Sequence, residues 1–464
     1  MSLPPEINEV HFIGIGGYGM SALAQILIQK NYRVSGSDIK ASPLTENLAR
    51  RGARIALGHS PENLGSAQLV VFSTAISADN PEIVETRRRG LPLWHRSELL
   101  AALLNSSFGI AVAGAHGKTT TTAMVALLLE AGGLDPTAII GGVLPAFNSN
   151  ARLGSSPYLV AEADESDSSF TCYHPRLALI TGIEADHLEH YENDYGRLRR
   201  AYETFLTHLA PEGTALLNFD DPGLRGLAAR CDRRIVSYGL SFNPDTCPAY
   251  YAQNIRLTGA GAVFDLFHRG ALHASVSLNV PGSHNVSNAV GALALADQLG
   301  LDLSACTAAL ADFKGVSRRF EIIGTAGDIT VIDDYAHHPT EVRATLEAAR
   351  LSGRRIICLF QPHRYSRTAN LFEEFSRAFG DADYLLLHSI YPAGEAPISG
   401  ITAAALAERI KSRCDIPVFY SSDITVLEEK AAALAHPGDL IITMGAGDIT
   451  ASAPRILARL KGEL

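Results

Sequence analysis

The sequence predicts an α/β fold built as three successive units, each a mostly parallel sheet flanked by helices. Three observations carry this. Apolar runs of strand length alternate with stretches of helical spacing almost throughout. Two of the runs end in glycine-rich loops that lead directly into a helix. The chain has 464 residues, more than one hydrophobic core holds, so roughly two to four domains are expected.

The first unit, 1–106, opens with the strand "VHFIGI" (10–15) and the helix "MSALAQILIQK" (20–30), followed by strands at 32–38 and 69–75. The second, 107–315, starts at "FGIAVAG" (108–114) and continues through strands at 158–164, 177–183 and 214–219. Its stretch 249–281 alternates apolar and polar residues between glycine turns, as hairpins do, and a helix follows at 284–300. "FKGVSRRFEIIG" (313–324) reads as a connector. The third unit, 316–464, carries strands at 328–336, 354–362, 382–390, 417–422 and 439–447, with a helix from Pro339 to Arg350.

A formal net charge of −10 argues against a general nucleic-acid binder, which would present a basic surface. Cys172, Cys231, Cys247, Cys306, Cys358 and Cys414 are scattered, with no CxxC pair, which argues against a disulfide scaffold or zinc finger. The first residues lack the basic and apolar segments of a signal peptide. No apolar run approaches the roughly 18–20 residues that span a bilayer. The reading is a soluble cytoplasmic protein without membrane insertion.

Gly14, Gly16 and Gly19 form G-x-G-x-x-G between a strand and a helix, and Asp38 ends the next strand where a dinucleotide fold places its ribose acid. Such a loop lets backbone N–H groups approach a diphosphate. The motif does not separate a nicotinamide dinucleotide from a nucleotide-sugar diphosphate. "GAHGKTTTT" (114–122) is different: Gly114, Gly117, Lys118 and Thr119 directly precede a helix. Lys118 brings positive charge to terminal phosphates and the Thr119 hydroxyl suits Mg²⁺. Val112 stands where the usual phosphate loop has its first glycine. Two acidic clusters follow later strands: Glu162, Asp164, Glu165 and Asp167 in "VAEADESDSS", then Glu184, Asp186, His187 and His190 in "EADHLEHY". Any one acid could belong to an exposed turn. Two clusters after consecutive strands, beside a phosphate loop, favour a metal site.

The ordered set "HFIGIGGYGMSALA", "GAHGKTTTT", "VAEADESDSSF", "ADHLEHY", "PGSHNVSNAVGALALA", "GVSRRFE", "DDYAHHPTEVRATL", "FQPHRYSRT" and "MGAGDI" resembles the Mur ligase family and covers nearly the whole chain. "DDYAHHPTE" with "QPHRYSRT" points to its alanine-adding branch. The resemblance implies a Rossmann-like first domain for a UDP sugar, a central P-loop ATPase-type domain with an extra small β-sheet, and a Rossmann-like third domain for the amino acid. It implies ATP and Mg²⁺ as cofactors, UDP-N-acetylmuramate and L-alanine as substrates, and a role in cytoplasmic peptidoglycan precursor synthesis. The implied reaction joins L-alanine to the lactyl carboxylate through an acyl phosphate. Separate domains sharing one reaction also imply closure on binding.

Residue by residue, the resemblance gives Gly14, Gly16, Gly17, Gly19, Asp38, Ser73 and Thr74 to the UDP sugar. It gives Gly114, His116, Gly117, Lys118, Thr119, Thr120, Asn285, Asn288, Arg319 and Asp334 to ATP, with Asp333 competing with Asp334. Thr119, Glu162 and His187 would hold the metal, and Lys118, Glu162, His187 and Arg319 would be catalytic. His337, His363, Arg364 and Arg367 would line the amino-acid end; an arginine fork suits a carboxylate. Ala115 and Ala336 depart from the family's common Thr and Gly. No lysine lies between Lys118 and Lys314, so the carbamylated lysine of several relatives has no counterpart in the central domain. The nearest look-alike is the murein tripeptide-recycling ligase. A nicotinamide-dependent oxidoreductase would leave the second loop and both acidic clusters without a task.

Overall fold

The computed structural model of the chain describes residues 3–186 and 188–463. Three sheets follow one another along it. The first contains β1 (Glu9–Ile13), β2 (Arg33–Asp38), β3 (Arg54–Leu57), β4 (Leu69–Phe72) and β5 (Leu93–His95) in the order β3-β2-β1-β4-β5. All four pairings are parallel. The order reverses at β1, so a crevice opens at the carboxyl ends of β1 and β4, where such folds bind ligands. Gly14–Gly19 follows β1, and Ser73 and Thr74 follow β4, so both predicted sets flank that crevice.

The central sheet contains β6 (Phe108–Ala113), β7 (Thr137–Leu144), β8 (Ser149–Arg152), β9 (Tyr158–Glu162), β10 (Leu177–Ile180), β11 (Thr214–Asn218), β12 (Arg234–Ser241), β13 (Tyr250–Thr258), β14 (Gly261–His268) and β15 (Ala271–Leu278). Its order is β15-β14-β13-β12-β11-β10-β6-β9-β7-β8. The expected small extra sheet is therefore an extension of the main one. β13 pairs in parallel with β12, which covers an edge that would otherwise stay open. β6 lies between β10 and β9, parallel to both. The lysine-bearing loop that follows β6 is thus flanked by the two acid-bearing loops.

The helix Lys118–Ala131 behind that loop buries ten of its fourteen residues, which explains its nearly uninterrupted small and apolar sequence. The third sheet runs β16-β17-β21-β18-β19-β20, with β16 (Glu321–Ala326), β17 (Ile329–Asp334), β18 (Ile356–Phe360), β19 (Tyr384–His388), β20 (Val418–Ser421) and β21 (Leu440–Met444). β16 is antiparallel to β17 and the other pairings are parallel. The predicted connector 313–324 is thus only partly a connector. Its end forms β16, a half-exposed edge strand whose pattern lacks an apolar run.

By internal contacts the chain divides into two compact units: 1–253 with 265–276 and 287–312, and 254–264 with 277–286 and 313–464. The first sheet and the central sheet from β6 to β12 share the first unit because one hydrophobic core runs through both. It joins Phe12, Leu23, Leu27 and Leu100 to Ile139, Leu159 and Phe205. Polar contacts reinforce the junction: Ser149 donates to Gln25 Oε1 at 2.9 Å, and Asn150 Nδ2 donates to the Tyr18 carbonyl at 2.7 Å. Among the described residues no helix is long and apolar enough to cross a membrane.

Candidate functional site

The first glycine loop is braced by its own backbone. Gly14 has φ +77°, a left-handed conformation that favours glycine. The N–H groups of Gly14 and Ile15 both donate to the Ser37 carbonyl. Gly16 N–H donates to Asp38 Oδ2 at 2.8 Å, and a Cβ at Gly16 would lie 2.8 Å from that same oxygen. Asp38 therefore fixes the loop as well as standing at the end of β2. Gly17 precedes the helix Tyr18–Gln29 as its N-cap and makes no side-chain cap hydrogen bond, so the loop leads straight into a helix N-terminus.

In the second loop the glycines are required by close approach. A Cβ on Gly114 would lie 2.1 Å from Thr181 Oγ1, and one on Gly117 2.6 Å from Asn288 Oδ1. Thr181 Oγ1 donates to the His116 carbonyl at 2.5 Å, tying the loop to the segment after β10. His116 Nε2 meets Glu184 Oε2 at 2.8 Å. Lys118 Nζ donates to the Gly114 carbonyl at 2.6 Å and reaches both Glu165 oxygens, at 2.9 and 2.8 Å. Burial alone would lower its pKa. The charges of Glu165, Asp164 and Glu162 outweigh that and hold it above the ordinary lysine value. The ammonium group is fixed in place and cationic.

Thr119 Oγ1 donates to Glu162 Oε2 at 3.3 Å, and Glu162 Oε1 accepts from Gly141 N–H at 2.5 Å. Two hard oxygen donors from adjacent elements suit Mg²⁺. Their predicted third partner, His187, lies outside the described residues. Thr120 is buried one position further along the helix.

A cavity of about 260 Å³ in this unit is lined by Gly19, Leu23, Arg96, Ile140, Glu162 and Asp164, among others. Its lining brings together Gly19 of the first glycine loop and Glu162, the partner of Thr119. Arg96 lies in both neighbourhoods: it sits 3.4 Å from where a Gly19 Cβ would be, and its Nη2 meets Asp164 Oδ2 at 2.8 Å. Burial would raise the Asp164 pKa, but Arg96 and Lys118 hold that carboxyl far below the usual carboxylate range. Sequence reading missed Arg96. Its only signal is the position opening the helix Arg96–Asn105, where His95 and Glu98 form a capping box.

In the second unit, the carboxyl ends of β17, β18 and β21 meet. Asp333 is bound by Arg318 Nε at 3.1 Å, Thr443 Oγ1 at 2.6 Å and Thr450 Oγ1 at 2.8 Å. It is a brace within the sheet. Asp334 accepts from the backbone N–H groups of Phe320 and Ala336, both at 2.7 Å. It thereby holds the turn carrying Arg319, whose guanidinium lies 5.0 Å from the centroid of the Tyr335 ring. Arg318 and Phe320, on either side of Arg319, adopt φ +64° and +53°, strain that persists only where the surroundings enforce it. Asn285 Nδ2 donates to the Pro281 carbonyl at 2.7 Å.

Burial pushes the Asp334 carboxyl up to about 6, against the pull of Arg319 and the two backbone donors. A carboxyl raised in the folded state binds protons there more tightly than in the unfolded chain. Its penalty is absent below the unfolded value of 3.8, grows between 3.8 and about 6, and is constant above. Asp334→Asn is expected to remove this slope, worth about 3 kcal/mol. Urea denaturation of both proteins between pH 4 and 7 checks it: parallel stability curves would contradict the assignment.

The predicted amino-acid residues cluster. His337 and His363 rings lie 6.0 Å apart, His363 stacks on Tyr391 at 5.5 Å, and Arg367 Nη1 approaches His363 Nδ1 at 3.5 Å. Burial lowers His337 to about 3, with Arg367 and His363 adding to the effect against Glu341. The ring is neutral near pH 7. Its Nδ1 faces the Tyr335 carbonyl at 2.9 Å and so carries the proton there. Arg364 adopts φ +70° at the head of the short helix Tyr365–Asn370.

Three family domains match in order: "Mur ligase family, catalytic domain" over 9–108, "Mur ligase middle domain" over 112–296 and "Mur ligase, glutamate ligase domain" over 318–447. The chain belongs to the Mur ligase family. Members of this family are ATP-dependent. This Mur ligase is 45% identical over 459 residues to the UDP-N-acetylmuramate–L-alanine ligase of Geobacter sulfurreducens, covering 98% of each chain. It is 47% identical over 455 residues to that of Pelotomaculum thermopropionicum, again with 98% coverage of each. Among solved structures, the UDP-N-acetylmuramate-alanine ligase of Thermotoga maritima superposes with a TM-score of 0.85 at 31% identity, covering 98% of this chain and 100% of that one. A murein peptide ligase from Psychrobacter arcticus gives 0.73 at 26%, with 98% and 99% covered.

Proposed function

We propose that this Mur ligase joins L-alanine to UDP-N-acetylmuramate at the expense of ATP. The observation that carries the reading is the cavity lined both by Gly19 of the lysine-free loop and by Glu162, whose carboxylate accepts from Thr119 just after the lysine. The lysine-free loop, with Asp38, Ser73 and Thr74, takes the UDP diphosphate on domain 1–106. The lysine loop takes ATP on domain 107–315, with Asn285, Asn288, Arg319 and Asp334 as further ATP-facing groups. Domain 316–464 takes the amino acid through His337, His363, Arg364 and Arg367. The nearly full-length identity to alanine ligases favours alanine over the tripeptide used in murein recycling.

Thr119 and Glu162, with His187, would hold Mg²⁺, which supplies charge neutralisation between phosphate oxygens when bound. The chain's own groups do the rest. Lys118 offers a fixed cation to the terminal phosphates. The sugar's lactyl carboxylate attacks the γ-phosphorus and ADP leaves, forming an acyl phosphate. The alanine amine then attacks the carbonyl carbon and phosphate departs, since phosphate is a far better leaving group than oxide. Arg96 is the cation that lets an anionic acceptor enter beside Glu162 and Asp164.

Phosphate release measured with UDP-N-acetylmuramate, ATP and a panel of amino acids or the tripeptide tests this. Release dependent on both the sugar nucleotide and L-alanine is expected; release that requires the tripeptide would overturn it. Arg96→Lys is expected to raise KM for the sugar nucleotide by about tenfold, because one ammonium replaces a forked donor, with KM for ATP unchanged. Equal rises in both constants would reduce Arg96 to a structural part.

A further inference from the structure

The edge of the central sheet carries a side-chain cluster that the ligase reaction does not use. β14 ends at His268, a two-residue turn follows, and His273 lies on β15. Both imidazoles face Asp297, one residue before the end of the helix Ser283–Gln298. His273 Nε2 lies 3.0 Å from Asp297 Oδ1, and His268 Nδ1 lies 3.8 Å from Asp297 Oδ2. One ligand atom from each of the three residues falls within 4.8 Å of the others. Bonds of about 2.0–2.1 Å to a tetrahedral ion place neighbouring ligand atoms about 3.3 Å apart, so small side-chain adjustments suffice.

The surroundings orient the donors. Tyr250 O–H donates to Asp297 Oδ2, and Gln298 Nε2 donates to the Tyr250 oxygen at 2.8 Å. The His268 ring stacks on Tyr250 with centroids 4.1 Å apart and planes 8° from parallel. Metal sites are commonly supported in this way: a hydrogen bond holds the carboxylate and packing holds the ring. Two imidazoles and one carboxylate form a borderline donor set, matched to zinc and poorly matched to Mg²⁺.

We propose that His268, His273 and Asp297 bind a divalent transition metal, zinc in the first instance, which pins the β14–β15 hairpin to the end of the helix. The site differs from the phosphate-loop metal site in donor type and in every residue. With three protein ligands and partial exposure, water completes the coordination.

Zinc titration of the untagged full-length protein by calorimetry, in excess Mg²⁺ to saturate the hard-oxygen site, tests the proposal. One zinc equivalent is expected. His268→Ala and His273→Ala should each weaken it at least about tenfold, and Tyr250→Phe about 10- to 100-fold through the loss of carboxylate orientation. An equivalent that survives both alanine variants, or no equivalent at all, overturns the site. Should the alanine variants fail to fold, cobalt(II) on the unmodified protein decides. Intense visible d–d bands from a four- or five-coordinate ion support the site, and the weak spectrum of an octahedral oxygen-ligated ion overturns it.

Discussion

Lys118→Ala is expected to lower kcat by about 10³-fold or more while changing affinity for UDP-N-acetylmuramate by less than about twofold. The ammonium group is the cation of the second glycine loop, held by the Gly114 carbonyl and both Glu165 oxygens. The sugar nucleotide is assigned to the other loop, whose bracing by Ser37 and Asp38 does not involve Lys118. One complication is structural. Removing the lysine leaves Glu165, 3% exposed, as a buried charge without its partner, which costs about 3–5 kcal/mol. Lys118→Met combined with Glu165→Gln removes that charge. The double variant should regain thermal stability and stay inactive, whereas restored turnover would show that Lys118 mattered only for folding. Equilibrium binding of the sugar nucleotide completes the experiment: a loss of affinity as large as the loss of turnover contradicts the division of tasks between the loops.

Much of the fold was legible because parallel strands buried on both faces read as continuous apolar runs. β6, β10 and β18 are buried along nearly their whole length, and all were located from the sequence. Several strands escaped detection: the eight-residue β7 and β12 inside the central sheet, whose runs are interrupted by Gly141, Gly142 and Gly239, and others that are short or sit at edges. "RIAL" of β3 is half exposed, "LWH" of β5 has three residues, and β16 alternates irregularly beside solvent. The division into two compact units was equally hidden, because the contacts of Gln25 and Tyr18 with residues near 150 join positions more than a hundred apart.

The candidate site divides along the same line. Glycines that must have no Cβ announce themselves in local sequence, as Gly114 and Gly117 do. Partnerships across the fold do not. Glu165 looked like one acid among several, yet its oxygens clasp Lys118 across 47 positions. Arg96 carried no motif in the sequence, yet it lines the cavity beside Asp164. Asp333 and Asp334 are adjacent and chemically identical. Only alternation along β17 separates them: one side chain turns to Thr443 and Thr450, the other to the turn that carries Arg319.

Glu162→Gln should lower kcat by about 10²- to 10³-fold and raise the Mg²⁺ concentration needed for half-maximal rate by about tenfold or more. The substitution is nearly isosteric, and its amide oxygen can still accept from Gly141 N–H. Only the negative charge is lost, so the brace persists while the attraction for a hard cation falls. Glutamine also cannot reproduce two equivalent carboxylate oxygens, one directed to Gly141 and the other to Thr119. A brace and a metal ligand therefore predict different outcomes. If Glu162 serves only to hold the Gly141 turn, the variant should keep the Mg²⁺ dependence of the parent, and any deficit should appear in thermal unfolding. If it binds the ion, extra Mg²⁺ should recover part of the lost rate and unfolding should change little. Initial rates over a Mg²⁺ series at saturating ATP, beside melting curves of both proteins, separate the two, and a rate deficit indifferent to Mg²⁺ would remove Glu162 from the metal site.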